Sequence, residues 1–92
     1  MRLCLRISFS IGLRDGFLRN FVQKEAKKCG LEGTAQFLEG EKVLVVVCGE
    51  RASVHSFVDA IHEKSSKYKL NDIELEPFLK RRDYRRAFRV LE

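Results

Sequence analysis

The fold is decided by residues 2–30, RLCLRISFSIGLRDGFLRNFVQKEAKKCG, where three sequence patterns follow one another. At the start of this stretch apolar and polar residues alternate, and a period of two predicts a β-strand with one buried face. Gly12 and Gly16 then break the alternation, which indicates a loop. Over residues 17–29 the apolar residues recur at helical spacing, and Gly30 predicts the end of that helix. The stretch therefore predicts a strand, a glycine-bearing loop and a helix.

Patterns of the same two kinds fill the rest of the chain. They predict strands at 33–38, 43–48, 71–76 and 84–91, and a second helix at roughly 52–67. We expect Gly49 to end the third strand, and Pro77 to end the fourth at an edge of the sheet. The order is β-α-β-β-α-β with one additional short strand. It predicts a ferredoxin-like α/β sandwich (α+β), in which two helices cover one face of a mostly antiparallel sheet.

Length and composition limit the chain to one domain. The residues are 45% hydrophobic and 34% charged, which excludes a disordered chain, so we treat residues 1–92 as a single domain. The longest apolar run, Val43–Cys48, is far shorter than the ~20 residues of a membrane-spanning helix. Residues 1–6 alternate and do not resemble a signal peptide. We expect no membrane association and a cytoplasmic protein.

The positive charge is concentrated near the C-terminus. The formal net charge is +5, and the stretch Lys80–Arg89 holds six basic residues and one acid, Asp83. This stretch supplies an alternative function, nucleic-acid binding through several phosphate contacts. The central strands carry no pair of aromatic residues of the kind that stack on RNA bases. We therefore expect a solvated basic segment that protects a sheet edge, and no nucleic-acid partner.

The cysteines and histidines form no metal-binding pattern. Cys4, Cys29 and Cys48 are far apart and odd in number, and they form no CxxC motif. His55 and His62 lie seven residues apart, which is not the spacing of a helical metal site. We expect three buried, unpaired cysteines in a reducing compartment, and no metal.

The loop of residues 12–16 is the strongest candidate binding site. A glycine-bearing loop that leads into a helix exposes backbone N–H groups without an intrahelical acceptor, and the helix dipole adds positive potential. Arg19 lies in the first turn of the predicted helix, where its guanidinium can hold an anion through two hydrogen bonds. The alternative is a solvated surface arginine beside an ordinary turn.

This segment resembles the acylphosphatase family, whose signature at the junction is a loop G-x-V-Q-G-V-x-F-R. Counted from Arg19 onward, the chain is similar to the family without a gap. The matching positions are Gln23, Glu25, Lys27, Lys28, Gly30, Leu31, Gly33, Gln36, Gly40, Val43 and Gly49, with Phe88, Arg89 and Val90 similar to the closing strand.

The resemblance implies a reaction and a ligand. Members hydrolyse the carboxyl–phosphate bond of acyl phosphates to carboxylate and phosphate, without a metal or other cofactor, so phosphate or an acyl phosphate is the implied ligand. The implied phosphate clamp is Arg19, and an asparagine on the second strand orients the attacking water. The implied phosphate-binding loop comprises Arg14, Asp15, Gly16, Phe17 and Leu18. We expect the chain to be a monomer.

The chain departs from the family pattern at the water-binding position. Phe37 stands where the family has its asparagine, and a phenyl ring can neither donate nor accept a hydrogen bond to water. Gln36 points to the opposite face of the strand, and Asn20 projects about 100° from Arg19 around the helix axis. Asp15, at the family's second glycine, adds a negative charge to the loop. We expect either weak hydrolysis, or a catalytically inactive member that binds a phosphate-bearing ligand or a protein partner.

Overall fold

The computed structural model describes residues 2–12, 16–78 and 87–91 of the 92-residue chain. In chain order its elements are β1 (Arg2–Ile11), a π-helical segment (Phe17–Gln23) that continues into α1 (Lys24–Lys28), β2 (Glu32–Phe37), β3 (Lys42–Glu50), α2 (Arg51–Glu63), α3 (Ser65–Tyr68), β4 (Leu70–Pro77) and β5 (Phe88–Leu91). Within these ranges, every helix is too short or too polar to cross a membrane.

The five strands form one sheet in the order β4-β1-β3-β2-β5. Neighbouring strands are antiparallel, except that β2 and β5 are parallel. The long pairing of β1 with β3, from Arg2 opposite Glu50 to Ser10 opposite Lys42, forms the centre of the sheet. The predicted, mostly antiparallel sheet is confirmed, and Pro77 ends the edge strand β4 as expected.

Helices cover one face of this sheet, as predicted. The fully buried residues of the two central strands that face the helices are Ile7 and Ile11 of β1 and Val43, Val45 and Val47 of β3. On α2 the buried residues Val54, Phe57 and Ile61 recur every three or four positions, so one stripe of the helix packs onto the sheet. Each fully buried side chain of this size contributes roughly 1.5–3 kcal/mol to folding. This apolar layer confirms the ferredoxin-like sandwich.

The structure corrects one predicted strand end. The prediction that Gly49 ends the third strand is wrong, because β3 continues through Gly49 to Glu50. Gly49 pairs with Leu3, and a Cβ atom on it would lie 2.5 Å from Cδ2 of Leu31. The missing side chain of Gly49 leaves the space that the end of the Leu31 side chain occupies, and the glycine makes no turn.

The predicted second helix is divided in two. α2 ends at Glu63, Lys64 follows, and α3 ends at Tyr68. The next residue, Lys69, adopts the left-handed conformation with φ of 56°. A helix cannot continue through a residue in this conformation. The helix therefore ends here and the chain turns into β4.

The last predicted strand is described only in part. β5 spans Phe88–Leu91, and residues 84–86 of the prediction lie outside the described residues. Most of the basic stretch Lys80–Arg89 also lies outside them, and its expected role at a sheet edge stays a prediction. Its last residue, Arg89, is exposed on β5, opposite Thr34.

The expectation of three unpaired cysteines is wrong for two of them. Cys4 of β1 lies directly opposite Cys48 of β3 with 4.1 Å between their Cα atoms, and the two side chains form a disulfide bond. The strand register brings them together, and their spacing in the sequence does not reveal it. The expectation of a reducing compartment depended on unpaired cysteines, so the disulfide bond removes its basis. Cys29 is free; burial, and then the charge of Glu25, raise the pKa of its thiol.

We expect the double variant Cys4→Ser/Cys48→Ser to lose about 3 kcal/mol of unfolding free energy. The bond joins residues 44 positions apart and thereby restricts the unfolded chain. Urea denaturation of the oxidised wild type and of the variant, followed by circular dichroism, measures the loss. Cys29→Ser leaves the bond intact and is the matched control. Equal midpoints for the wild type and the double variant would contradict a stabilising bond.

Candidate functional site

Backbone hydrogen bonds fix the position at which the chain leaves β1. The N–H of Ile11 donates to the carbonyl of Glu41 at 2.8 Å, and the N–H of Gly12 donates to the carbonyl of Lys69 at 3.1 Å. A Cβ atom on Gly12 would lie 3.0 Å from Cβ of Lys69. The loop therefore starts between the β2–β3 turn and the end of α3.

The far end of the loop is Gly16, which precedes the π-helical segment. Residues 13–15, with Arg14 and Asp15 of the predicted phosphate-binding loop, lie outside the described residues. Gly16 has φ of 67°, and its carbonyl accepts the N–H of Asn20 at 2.7 Å. A Cβ atom on Gly16 would lie 2.3 Å from Nδ2 of Asn20. The left-handed φ favours glycine here, and the carboxamide of Asn20 lies against the end of the loop.

The first helix starts without a side-chain cap, since Gly16 makes no capping hydrogen bond. The first N–H groups of a helix lack intrahelical acceptors, and the helix dipole places about half a positive charge beside them. The amides of Phe17, Leu18 and Arg19 occupy these positions. Backbone N–H groups in this position are donors of the kind that bind anions, and the anion site at this loop stays a prediction.

Four aromatic rings hold this helix start on the sheet. The ring of Phe17 meets Phe9 edge-on at 5.7 Å between centroids and Tyr68 at 4.8 Å, and Phe21 stacks on Tyr68 at 5.9 Å. Such contacts add to the free energy of burial and fix the direction in which the helix leaves the loop. Phe17 and Leu18 are both buried. Their side chains therefore belong to the core, and only their backbone can bind a ligand.

Arg19 lies on the exposed side of the helix. Its neighbours Leu18 and Val22 are buried, whereas the Arg19 side chain is exposed. The segment Phe17–Gln23 that carries it is π-helical, although the sequence predicted an ordinary helix. Wider turns of this kind are rare and occur frequently at functional sites. They change the angle at which Arg19 projects from the helix relative to its neighbours.

Phe37 is the last residue of β2 and pairs with Val43. It is partly buried and packs against the core on the same face as Ala35. Gln36 lies on the opposite face, so it cannot replace a group at position 37. The helix that carries Arg19 packs against β2, which puts Arg19 and Phe37 on the same side of the sheet. The described part of the site thus combines backbone and cationic donors with a phenyl ring.

Lys69 is a neighbour of the loop that sequence reasoning did not find. Its carbonyl accepts the Gly12 N–H, and its Cβ packs against Gly12. The lysine brings a further positive charge to the element that flanks the loop. No local pattern links two positions so far apart in the chain, and only the strand topology brings them together.

The sequence matches one family model. A model described as acylphosphatase matches residues 15–90 of the chain. An acylphosphatase from Methanococcoides burtonii is 36% identical over 59 residues, which cover 64% of this chain and 62% of that protein. The matched stretch therefore spans less than two thirds of this relative.

Two solved structures share the fold along nearly the whole chain. The acylphosphatase from Bacillus subtilis superposes with a TM-score of 0.85 at 26% identity, and the match covers 98% of this chain and 99% of that one. The acylphosphatase from Coxiella burnetii superposes with a TM-score of 0.84 at 27% identity, covering 98% and 93%. Sequence and fold comparisons thus agree with each other.

Proposed function

Since this chain belongs to the acylphosphatase family, we propose that it hydrolyses acyl phosphates at the loop between β1 and the first helix, at a low rate. The observation that supports this most directly is the helix that starts at Gly16 without a side-chain cap and carries Arg19 in its first turn. In this reaction water attacks phosphorus, and the bond from phosphorus to the carboxyl oxygen breaks. The products are a carboxylate, inorganic phosphate and one proton.

The chain's contribution to this reaction is electrostatic. Negative charge is spread over the phosphoryl oxygens in the transition state, and donors that are already in place stabilise it without reorganisation. We assign this role to the guanidinium of Arg19 and to the first amides of the helix. The aromatic contacts of Phe17 hold these amides in one direction, which is the positioning that the reaction needs.

Phe37 is the reason for expecting a low rate. The phenyl ring offers no hydrogen bond to a water at the end of β2, and loss of a positioned polar group commonly costs a factor of about 10²–10⁴. The carboxamide of Asn20, which lies against Gly16, can form hydrogen bonds with a water beside the loop. We assign the residual rate to this arrangement.

A second candidate function is binding without turnover. It is favoured by Phe37, because the family resemblance implies a water-holding asparagine at this position and a phenyl ring cannot bind the water. In that case the loop and Arg19 hold a phosphate-bearing ligand or a protein partner, and the chain does no chemistry on it. Localisation in the cytoplasm and a monomeric state stay predictions under either function.

Hydrolysis of benzoyl phosphate by the wild type and by Phe37→Asn tests the proposed function. We expect the wild type to exceed the spontaneous rate, and Phe37→Asn to exceed the wild type roughly 100-fold, because an amide at the end of β2 can hold the attacking water. The decrease in benzoyl phosphate absorbance at neutral pH gives both rates. Phe37→Leu, which adds no hydrogen-bonding group, is the control and should show no gain.

Calorimetric titration with inorganic phosphate separates the two candidates. Phosphate binding by a wild type that shows no turnover would support the binding function. A wild type that neither hydrolyses benzoyl phosphate nor binds phosphate would contradict both.

A further inference from the structure

A concave site lies at the opposite end of β1 from the loop. α2 packs over β1 and β3, so the helix-facing side of the edge strand β4 is left partly uncovered. The result is a groove of about 440 Å³ between α2 and the β1–β4 edge. We call it the edge groove; its apolar walls include Leu5, Val58 and Leu75, and its polar lining comprises Arg51, His55 and Asp59. Leu75 is 45% exposed there.

The polar residues of the edge groove are ordered along α2. Arg51, His55 and Asp59 are four residues apart and therefore share one side of the helix, at steps of about 6 Å along its axis. β3 ends at Glu50 opposite Arg2, so α2 begins above the start of β1. The cationic end of the groove thus lies at the start of β1, and Asp59 lies two helical turns further on.

We propose that the edge groove binds a small amphipathic monocarboxylate. Its carboxylate meets Arg51 and His55, where the N-terminal end of the 13-residue helix α2 adds positive potential. Its apolar body lies against Leu5, Val58 and Leu75. Asp59 repels a second carboxylate at the far end, so the groove selects a single acidic group and one orientation. The groove volume lies in the range of sites for small molecules.

This site does not depend on acyl-phosphate hydrolysis. β1 is a ten-residue strand, so its two ends are about 30 Å apart. The carboxylate site lies at the start of β1, and Gly12 begins the phosphate loop at its end. Failure of one proposal therefore leaves the other intact.

Titration of the ¹⁵N-labelled full chain with sodium octanoate tests the proposal by NMR. We expect saturable shifts of the Val58, Asp59 and Leu75 amides, and no comparable shift at Gly16. Titration with 1-octanol, which has the apolar body but no carboxylate, should bind about tenfold more weakly. Equal binding of the two compounds would overturn the assigned carboxylate recognition, and the absence of saturable shifts would overturn the site.

Matched variants separate the groove from nonspecific binding of a fatty acid. His55→Gln should weaken octanoate binding several-fold, whereas His62→Gln, on the same helix but outside the groove lining, should not. Leu75→Ser should weaken it, whereas Leu91→Ser removes a leucine of similar exposure (43%) on the other sheet edge and should leave it unchanged. Neither leucine belongs to the buried core, so both serine variants should fold. Equal effects within either pair would overturn the proposal.

Discussion

Replacing Arg19 with alanine is expected to lower kcat/KM for benzoyl phosphate by about 100- to 1,000-fold. Removal of one donor aimed at developing negative charge has an effect of this size in enzymes. The side chain is exposed and outside the core, so its loss should leave the fold intact. Steady-state kinetics, with circular dichroism of both proteins, measure the effect.

Two further variants identify the cause of this loss. Arg19→Lys keeps the charge but loses the planar pair of donors, so we expect an intermediate rate. Lys27→Ala removes an exposed cation from the same helix without touching the loop, and its rate should equal that of the wild type. If Lys27→Ala lowered kcat/KM as much as Arg19→Ala does, the general positive charge of the helix would explain the rate. The assigned role of Arg19 would then be wrong.

Gly33→Ala is expected to destabilise the fold by about 4 kcal/mol, a large fraction of the roughly 5–15 kcal/mol by which a small domain is stable. Gly33 is buried in β2 between β3 and β5, with φ of 144°, a conformation that only glycine adopts readily. A Cβ atom there would lie 1.8 Å from the carbonyl oxygen of Val46. Because the obstacle is the backbone of a central strand, no side-chain rotation relieves it. Urea denaturation measures the loss.

Gly30→Ala is the matched control for this substitution. Gly30 also has a positive φ, of 70°, but a Cβ atom on it would meet nothing within 4 Å. It should cost only the left-handed strain, about 1 kcal/mol. Comparable losses for the two variants would show that backbone conformation alone, and not the contact with Val46, determines the effect at Gly33.

The elements and the fold class follow from hydrophobic periodicity. The alternation over residues 2–10 and the helical stripe that includes Phe21 and Val22 correspond to β1 and the first helix. These patterns predict the elements correctly because the apolar residues must be buried away from water in any compact arrangement of the chain. The order of the elements then restricts the topology to a few arrangements.

Contacts that depend on strand register could not be predicted from these patterns. The sequence separation of Cys4 and Cys48 gives no sign that they are in contact. Only the alignment of β1 with β3 places them opposite one another. A glycine directly after a run of β-branched residues predicts the end of a strand. Gly49 instead lies inside β3, where Leu31 packs against it. A one-residue change of register would abolish both relationships without altering any local pattern.

The part of the candidate site whose residues are close together in the sequence could be predicted. The glycine at position 16 and Arg19 are close in sequence, and the loop-to-helix junction between them was identified from that spacing. The approach of Lys69 to Gly12 depends on tertiary structure. The π-helical turns of Phe17–Gln23 also have no signature in the apolar spacing, because the buried residues fit an ordinary helix equally well.

The parallel pairing of β2 with β5 has a consequence for how quickly the chain reaches its native state. Gly33 pairs with Phe88, and β1 pairs with β3 and β4, whose residues are far from it in the sequence. Bringing such distant residues together lowers the entropy of the chain before the stabilising contacts form. Domains dominated by such pairs fold in milliseconds to seconds instead of microseconds. Refolding that is slower than that of a helical domain of the same length is therefore expected from this topology.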